Sequence, residues 1–385
     1  MKVTISVGGR FHAFYLAQQL YRRGYLGSLI TSYPKFEVVK YGIPKDKIST
    51  VIIKEVIARL WSLFPSSLTK FYNPQYAISE IFDQGAKRHL TDSDILVAWS
   101  SFALHTIGKA KDMGIKTILE RGSSHILYQT KILKEEYEKF GINADVAHPK
   151  IIEKELQEYE EADFISIPSL FVKRTFLSKG FPEEKLIHIP YGVDLADFSP
   201  IPKEDKTFRI IHCGGITLRK GVLYLLKAFY ELNLQDTELW LIGSMGKEMQ
   251  PFLRRYDNGK VFHKGPYPQK ELYKYYSQGS VFVIMSIEEG LAMVQPQAMA
   301  CGLPVICTTN TGGKDIVREG IDGFIIPIRA FEVLKEKLIY LYENPEVCKA
   351  MGQSAKEHVS KGFTWDDYGE RMVRIYEKVL HEKSI

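Results

Sequence analysis

Short β-branched and aromatic runs alternate with longer stretches of helical period along this chain, and the series starts twice. The first series runs VTISVGG, FHAFYLAQQLYRR, GSLITS, DILVAWSS, LHTIGKAKDMG, KTILERG, DFISIPS, LFVKRTFLSKG and KLIHIPYG. The second runs FRIIHCGG, VLYLLKAFYEL, ELWLIGS, KVFHKG, VFVIMS, PVICTT and GFIIP. Parallel strands need crossovers, usually helical, and are buried on both faces, so this alternation predicts an α/β fold of two doubly wound domains. The 385 residues are enough for two cores. The first domain is expected over residues 1–198 and the second over 205–364, joined through the polar stretch SPIPKEDK. In the tail, Tyr368, Met372, Ile375, Tyr376 and Val379 fall on one helical face, which predicts a terminal amphipathic helix over 365–385 that completes the first domain.

Charge and cysteine content narrow the function classes. The formal net charge is +5, with Lys and Arg dispersed rather than gathered in a stripe, which argues against a nucleic-acid partner. Cys213, Cys301, Cys307 and Cys348 lack zinc-ligand or CxxC spacing, and the chain opens without a basic stretch followed by an apolar run, so a reducing, cytoplasmic protein is expected. No run of eighteen apolar residues occurs. The apolar segment Glu55 to Phe71 reads first as a core helix pair, and second as a surface facing a membrane or a lipid-linked acceptor.

Three turns carry candidate chemistry. Gly8 and Gly9 end the first strand and open a helix, where backbone and ligand approach closely and free N–H groups face an anion. The pattern is not GxGxxG, which argues against a nicotinamide site. The second domain opens likewise with Gly214, Gly215, then Arg219, Lys220 and Gly221, bringing two cations to a helix start. The third turn, SIEEGLAMVQPQAMACGLPV over 286–305, leaves a strand through two carboxylates and a glycine and enters a short helix closed by Gly302. Ligands of doubly wound sheets bind beyond the carboxyl ends of the strands, where these turns fall.

The phrase EEGLAMVQPQAMACGLPV resembles the signature segment of glycosyltransferase family 4, retaining enzymes of the GT-B fold. Supporting phrases follow the family's order: ADFISIPS, KLIHIPYGVDLADFSP, CGGITLRKG, LWLIGS and TNTGGKDIVREGIDGFIIP. The resemblance covers nearly the whole chain and implies an acceptor domain facing a nucleotide-sugar donor domain. It places Glu289 on hydroxyls of the donor sugar, with the backbone of Gly290, Leu291 and Ala292 beside sugar and phosphate, and Lys220 on the diphosphate. It makes His125 an active-site histidine and sets Gly8 and Gly9 against the diphosphate from the opposite wall, with Arg10 and His12 facing phosphate or acceptor. Two positions depart from the family: Gln297 stands where a ribose-binding glutamate is usual, and Gly215 where an arginine is usual, with Arg219 a substitute from the adjacent place.

The resemblance implies transfer of a sugar from a UDP- or GDP-linked donor to a saccharide or lipid-linked acceptor, with retention. The departing phosphate would help deprotonate the acceptor, so no dedicated base is needed, and the work is surface polysaccharide or glycoconjugate synthesis at the inner face of a membrane. No metal is expected, because Lys220 and Arg219 stand in for a divalent ion; Asp92-Ser93-Asp94 precedes a strand as a polar loop. The alternatives are a catalytically degenerate GT-B partner protein, motivated by Gln297 and Gly215, and a GT-B nucleotide-sugar epimerase. A dehydrogenase is the poorest of them.

Overall fold

The structure, a computed structural model, describes residues 1–62, 73–144 and 146–381. Seven strands form the first sheet: β1 (Val3–Val7), β2 (Leu26–Thr31), β3 (Ile48–Thr50), β4 (Ile95–Trp99), β5 (Lys116–Glu120), β6 (Phe164–Ile167) and β7 (Leu186–His188). Their spatial order is 3-2-1-4-5-6-7, with every pairing parallel. Six more form the second: β8 (Phe208–Cys213), β9 (Thr237–Ile242), β10 (Val261–Gly265), β11 (Val281–Ile284), β12 (Val305–Thr308) and β13 (Gly323–Ile326), in the order 10-9-8-11-12-13, again parallel. In each sheet the order reverses once, between β1 and β4 and between β8 and β11. Such a reversal leaves a crevice at the strands' carboxyl ends because the connections depart to opposite faces.

Strand residues alternate between two cores, as a sheet covered on both sides requires. In β4, Ile95, Val97 and Trp99 enter one core while Leu96 and Ala98 enter another. In β11, Phe282 and Ile284 face the core shared with β8, and Val281 and Val283 face the opposite layer. β3 has three residues only and sits at the sheet edge, too short for its period to stand out from the loop around it.

Two crossings join the domains. After β7 the chain runs through Val193, whose N–H donates to the Phe363 carbonyl at 2.7 Å, and continues to β8. The return crossing leads into the helix Trp365–His381, which lies on the first domain against the helix Ala13–Arg22. Trp365 stacks on Tyr15 with ring centroids 4.3 Å apart and planes 4° from parallel. Tyr368, Met372, Tyr376 and Val379 are buried along its inner face.

The helix Ile53–Ser62 leaves Ile53, Val56 and Leu60 exposed, unlike the core helix expected there; the expected segment from residue 63 to Phe71 lies outside the described residues. No helix among the described residues is long and apolar enough to cross a membrane. All four cysteines are buried free thiols.

Candidate active site

The loops after β1, β4 and β5 face those after β8 and β11 across a cavity of 500 Å³. Its walls include Phe11, His12, Trp99, Ser101, Phe102, Arg121, Tyr191, Arg219, Glu289, Leu291 and Met293. Both reversal points of the strand order therefore open on one space. Phe11 and Ser101 hold left-handed backbone, φ 39° and 72°, which non-glycine residues rarely adopt, and both belong to the lining.

On the second-domain wall two acid–base pairs stand side by side. Lys220 Nζ meets Glu289 Oε2 in a very short ion pair. Arg219 Nη2 meets Glu288 Oε2 at 2.8 Å. Glu288 is wholly buried and also accepts from the first domain: the Ser124 N–H at 2.9 Å, the Ser124 hydroxyl at 2.7 Å and Gln129 Nε2 at 3.0 Å. Burial pushes its carboxyl up, but Arg219 and these hydrogen bonds outweigh that and hold it below the usual carboxylate range. Glu288 thus clamps the two domains together, and nothing in its local sequence separates it from Glu289.

The candidate residues divide by position. Arg219, Glu289 and Leu291 line the cavity, and Lys220 reaches it through Glu289. Gly290 lies in the domain contact: its carbonyl accepts from Ser169 Oγ at 2.6 Å, and a Cβ built on it would stand 1.9 Å from the Gly122 carbonyl oxygen. The amides of Glu289 and Ala292 are not free, because they donate to the carbonyls of Asn310 and Thr311 at 2.9 and 3.1 Å. Gly8 abuts the Phe102 ring, with 2.6 Å between the ring and a Cβ built there; Gly9 meets the Phe11 ring in the same way. Gly215 follows β8, and a Cβ built there would make an ordinary contact with Thr217 Cγ2 at 3.7 Å. Gln297 is buried on the helix Val294–Ala300 and accepts from the Tyr276 hydroxyl at 3.4 Å.

His125 is not among the residues lining this cavity. Its Nδ1 accepts from the Leu127 N–H and caps the helix Ile126–Glu138, while its ring packs between Tyr159 and Phe176 at 5.2 and 4.9 Å. Burial, aided by the charge of Arg121, brings its imidazole down to about 4. The histidine that does line the cavity is His12. Its Nε2 stands 3.3 Å from Glu120 Oε2, and its ring lies 4.1 Å from that of Tyr191. Arg10 turns instead into a neighbouring 310 Å³ depression with Tyr33, Asp194, Asp197 and Lys270.

A larger cavity of 630 Å³ adjoins, sharing Phe102 and Arg219 with the first, and includes Lys54, Trp61, Gln75, Gln129 and Leu133 in its walls. Among the described residues, Glu80, Asp83 and His105 have metal-ligand spacing, but the Lys154 ammonium lies 2.6 Å from Glu80 and 2.9 Å from Asp83. Asp94 accepts from the Lys2 N–H at the start of β4, the end of the sheet away from the cavity.

Comparison with known proteins agrees with this architecture. Residues 195–358 match the family model for glycosyl transferases group 1. A GDP-mannose-dependent phosphatidylinositol monomannoside mannosyltransferase of Corynebacterium glutamicum is 28% identical over 241 residues, covering 56% of this chain and 62% of that protein. An uncharacterized glycosyltransferase of Methanocaldococcus jannaschii is 22% identical over 333 residues, 80% of this chain and 82% of that one. Among solved structures, sucrose-phosphate synthase of Thermosynechococcus elongatus superposes with a TM-score of 0.74 at 15% identity, over 98% of this chain and 99% of the other. Anabaena HepE in complex with UDP superposes at 0.72 and 14%, over 98% and 100%. Two parallel sheets facing across one cleft are the GT-B fold, and the second domain of this chain matches the family model for glycosyl transferases group 1.

Proposed function

We propose that this protein transfers a sugar, with retention and without a metal, from a UDP- or GDP-linked donor to an acceptor hydroxyl of a saccharide or lipid-linked glycoconjugate. The observation that carries this reading is the Lys220–Glu289 pair at the edge of the cavity. The pair sets a cation beside a carboxylate at the cavity wall, the two groups that a ligand carrying both an anion and hydroxyls would use. An incoming diphosphate takes Lys220, and the released Glu289 carboxylate then accepts from hydroxyls of the sugar. As the bond from C1 to the diphosphate breaks, its electron pair leaves with the diphosphate, and the preorganised cation stabilises that charge. Arg219 contributes from its place on Glu288. Support for the donor class comes from HepE, solved with UDP and with UDP-glucose, and from the GDP-mannose dependence of the C. glutamicum relative. In this reading the acceptor occupies the adjoining 630 Å³ cavity, which shares Phe102 and Arg219 with the first.

Calorimetric titration with UDP, GDP and ADP tests the reading. One nucleoside diphosphate binds, Lys220→Ala weakens it by about tenfold or more, the loss of a charge-assisted contact worth about 1.5–3 kcal/mol, and Glu289→Ala abolishes turnover of the matching nucleotide sugar. Survival of binding in Lys220→Ala refutes it. A second reading, a nucleotide-binding partner without turnover, is favoured by Gln297, whose carboxamide stands buried against Tyr276. Tight nucleotide binding without turnover marks that case.

A further inference from the structure

The helix Ile53–Ser62 has two sides, and the steps above use one of them. Lys54 and Trp61 belong to the walls of the 630 Å³ cavity. Glu55 accepts from the Ser32 hydroxyl at 2.8 Å and from Lys54 at 2.7 Å, which ties the helix to the loop after β2. The other side carries Ile53, Val56 and Leu60, which are 64%, 47% and 54% exposed. Spacings of three and four residues put these three on one stripe.

More apolar surface lies at the same corner. β2 and β3 are adjacent and parallel, so the segments that leave their carboxyl ends emerge together. Phe36, on the short helix Lys35–Val38 after β2, and Ile52, directly after β3, are both exposed. One exposed apolar side chain is ordinary, but five large ones at one corner of a sheet mark a contact surface. Charge indicates the kind of partner. Residues 33–62 hold Lys35, Lys40, Lys45, Lys47, Lys54 and Arg59 against Glu37, Asp46 and Glu55, an excess of three positive charges. The net charge of the whole chain is +5, so more than half of it falls within this short stretch. Lys35, Lys40, Lys45 and Arg59 are exposed. An apolar stripe with cations around it matches the boundary of an anionic bilayer, where apolar side chains enter the acyl region and cations meet phosphates.

We propose that this corner of the first domain docks on an anionic lipid surface, and that the acceptor is a lipid-linked saccharide drawn from that surface. The docking stands by itself, whereas the acceptor class rests on the transferase reading. The helix Ile53–Ser62 connects the two. Its apolar stripe enters the bilayer boundary while Lys54 and Trp61, on its other side, belong to the cavity assigned to the acceptor. The walls of that cavity fit an amphiphile, with Trp61, Ile78, Leu133 and Val146 beside Lys54 and Gln75. An acceptor whose tail stays in the bilayer thus offers its saccharide to the cavity without leaving the membrane.

The test is co-sedimentation of the whole chain with vesicles of phosphatidylcholine, with and without phosphatidylglycerol. Binding is expected to the mixed vesicles, to be weak on phosphatidylcholine alone, and to fall as salt screens the cations. The double variant Ile53→Asp, Leu60→Asp is expected to lower the partition coefficient by about tenfold or more, the scale set by withdrawing two apolar side chains from the interface. Its Tm and its nucleoside-diphosphate affinity stay at wild-type values, because both side chains are exposed and neither lines a cavity. If that variant fails to fold, Ile53→Ser, Leu60→Ser is read in the same way. A wild-type protein that does not bind the mixed vesicles overturns the proposal. So does equal binding by wild type and variant, or equal binding to both kinds of vesicle. A wild-type dimer in the absence of lipid that the variant dissolves assigns the stripe to a second copy of the chain and overturns it too. Vesicle binding by a protein that takes no nucleoside diphosphate keeps the docking and removes the transferase reading, and the acceptor class with it.

Discussion

One glycine and two histidines show how single residues set the terms of this molecule. Gly221 precedes the helix Val222–Leu232 with φ 63°, and a Cβ there would stand 1.9 Å from the Met285 carbonyl oxygen, so the loop bearing Arg219 and Lys220 reaches the strand-end of β11 only through glycine. Gly221→Ala is expected to cost about 2–4 kcal/mol, combining positive-φ strain with a backbone clash, measurable by denaturant unfolding. His125 is held neutral: its imidazole lies at about 4, below the unfolded value. Because the folded state binds the proton more weakly, stability is full above the unfolded pKa near 6.5 and is lost as pH falls from there toward 4. His212, within β8 and brought down to about 4 by burial, acts in the same direction. His125→Asn keeps a helix-capping side chain and is expected to flatten the acid side of the stability–pH curve, leaving neutral stability within about 1 kcal/mol. If it also retains turnover, a structural role for His125 is established.

At the scale of elements, the terminal helix Trp365–His381 is the instructive one. Its inner face carries apolar bulk and two tyrosine hydroxyls, of Tyr368 and Tyr376, that find no partner, and burial raises both phenols well above their ordinary value. An unpaired buried hydroxyl subtracts from stability by its lost hydration, so Tyr376→Phe is expected to be neutral or to raise Tm. Tyr376→Ala, which empties a fully buried ring site, is expected to cost about 3–5 kcal/mol. Should Tyr376→Phe prove clearly destabilising, the hydroxyl has a partner. The helical face itself could be read from sequence because its period is local. That it would lie across the helix Ala13–Arg22, with Trp365 on Tyr15, depends on the path through Val193 and Phe363.

At the scale of the whole molecule, the domain contact is polar and organised around buried acids. Glu288 binds Ser124, Gln129 and Arg219; Glu136 of the first domain binds Tyr224 at 2.7 Å and Arg329 at 2.6 Å; Asp315 of the second binds His188 at 2.6 Å. Removing one member of such a set leaves the others desolvated and unpaired, at a cost of about 3–5 kcal/mol. Glu288→Ala is therefore expected to lower Tm and to increase the radius of gyration in solution scattering as the domains part. Gly290→Ala, whose added methyl would collide with the Gly122 carbonyl, should open the cleft by a steric route with Glu288 intact. Unchanged scattering in both variants would mean that these contacts do not hold the domains closed.

What the sequence by itself determined is local. The doubled alternation of strand and helix, the glycine turns after β1 and β8, and the carboxylate-bearing turn after β11 were readable because each rests on a short-range period or a backbone requirement. The short edge strand β3 gave no such period. What only the tertiary structure decided is which side chains share a space. Glu288 and Glu289 are chain neighbours of one type, yet one locks the domains and the other faces the cavity, because successive residues leaving β11 point in different directions. His125 sits in a motif that suggests an active site, yet its ring turns into the core behind β5, whereas His12 and Glu120, far apart in the chain, meet because β1 and β5 flank β4 in the same parallel sheet. Pairings of that kind follow from strand order and register, which arise from the packing of the whole sheet and leave no mark on the residues around each partner.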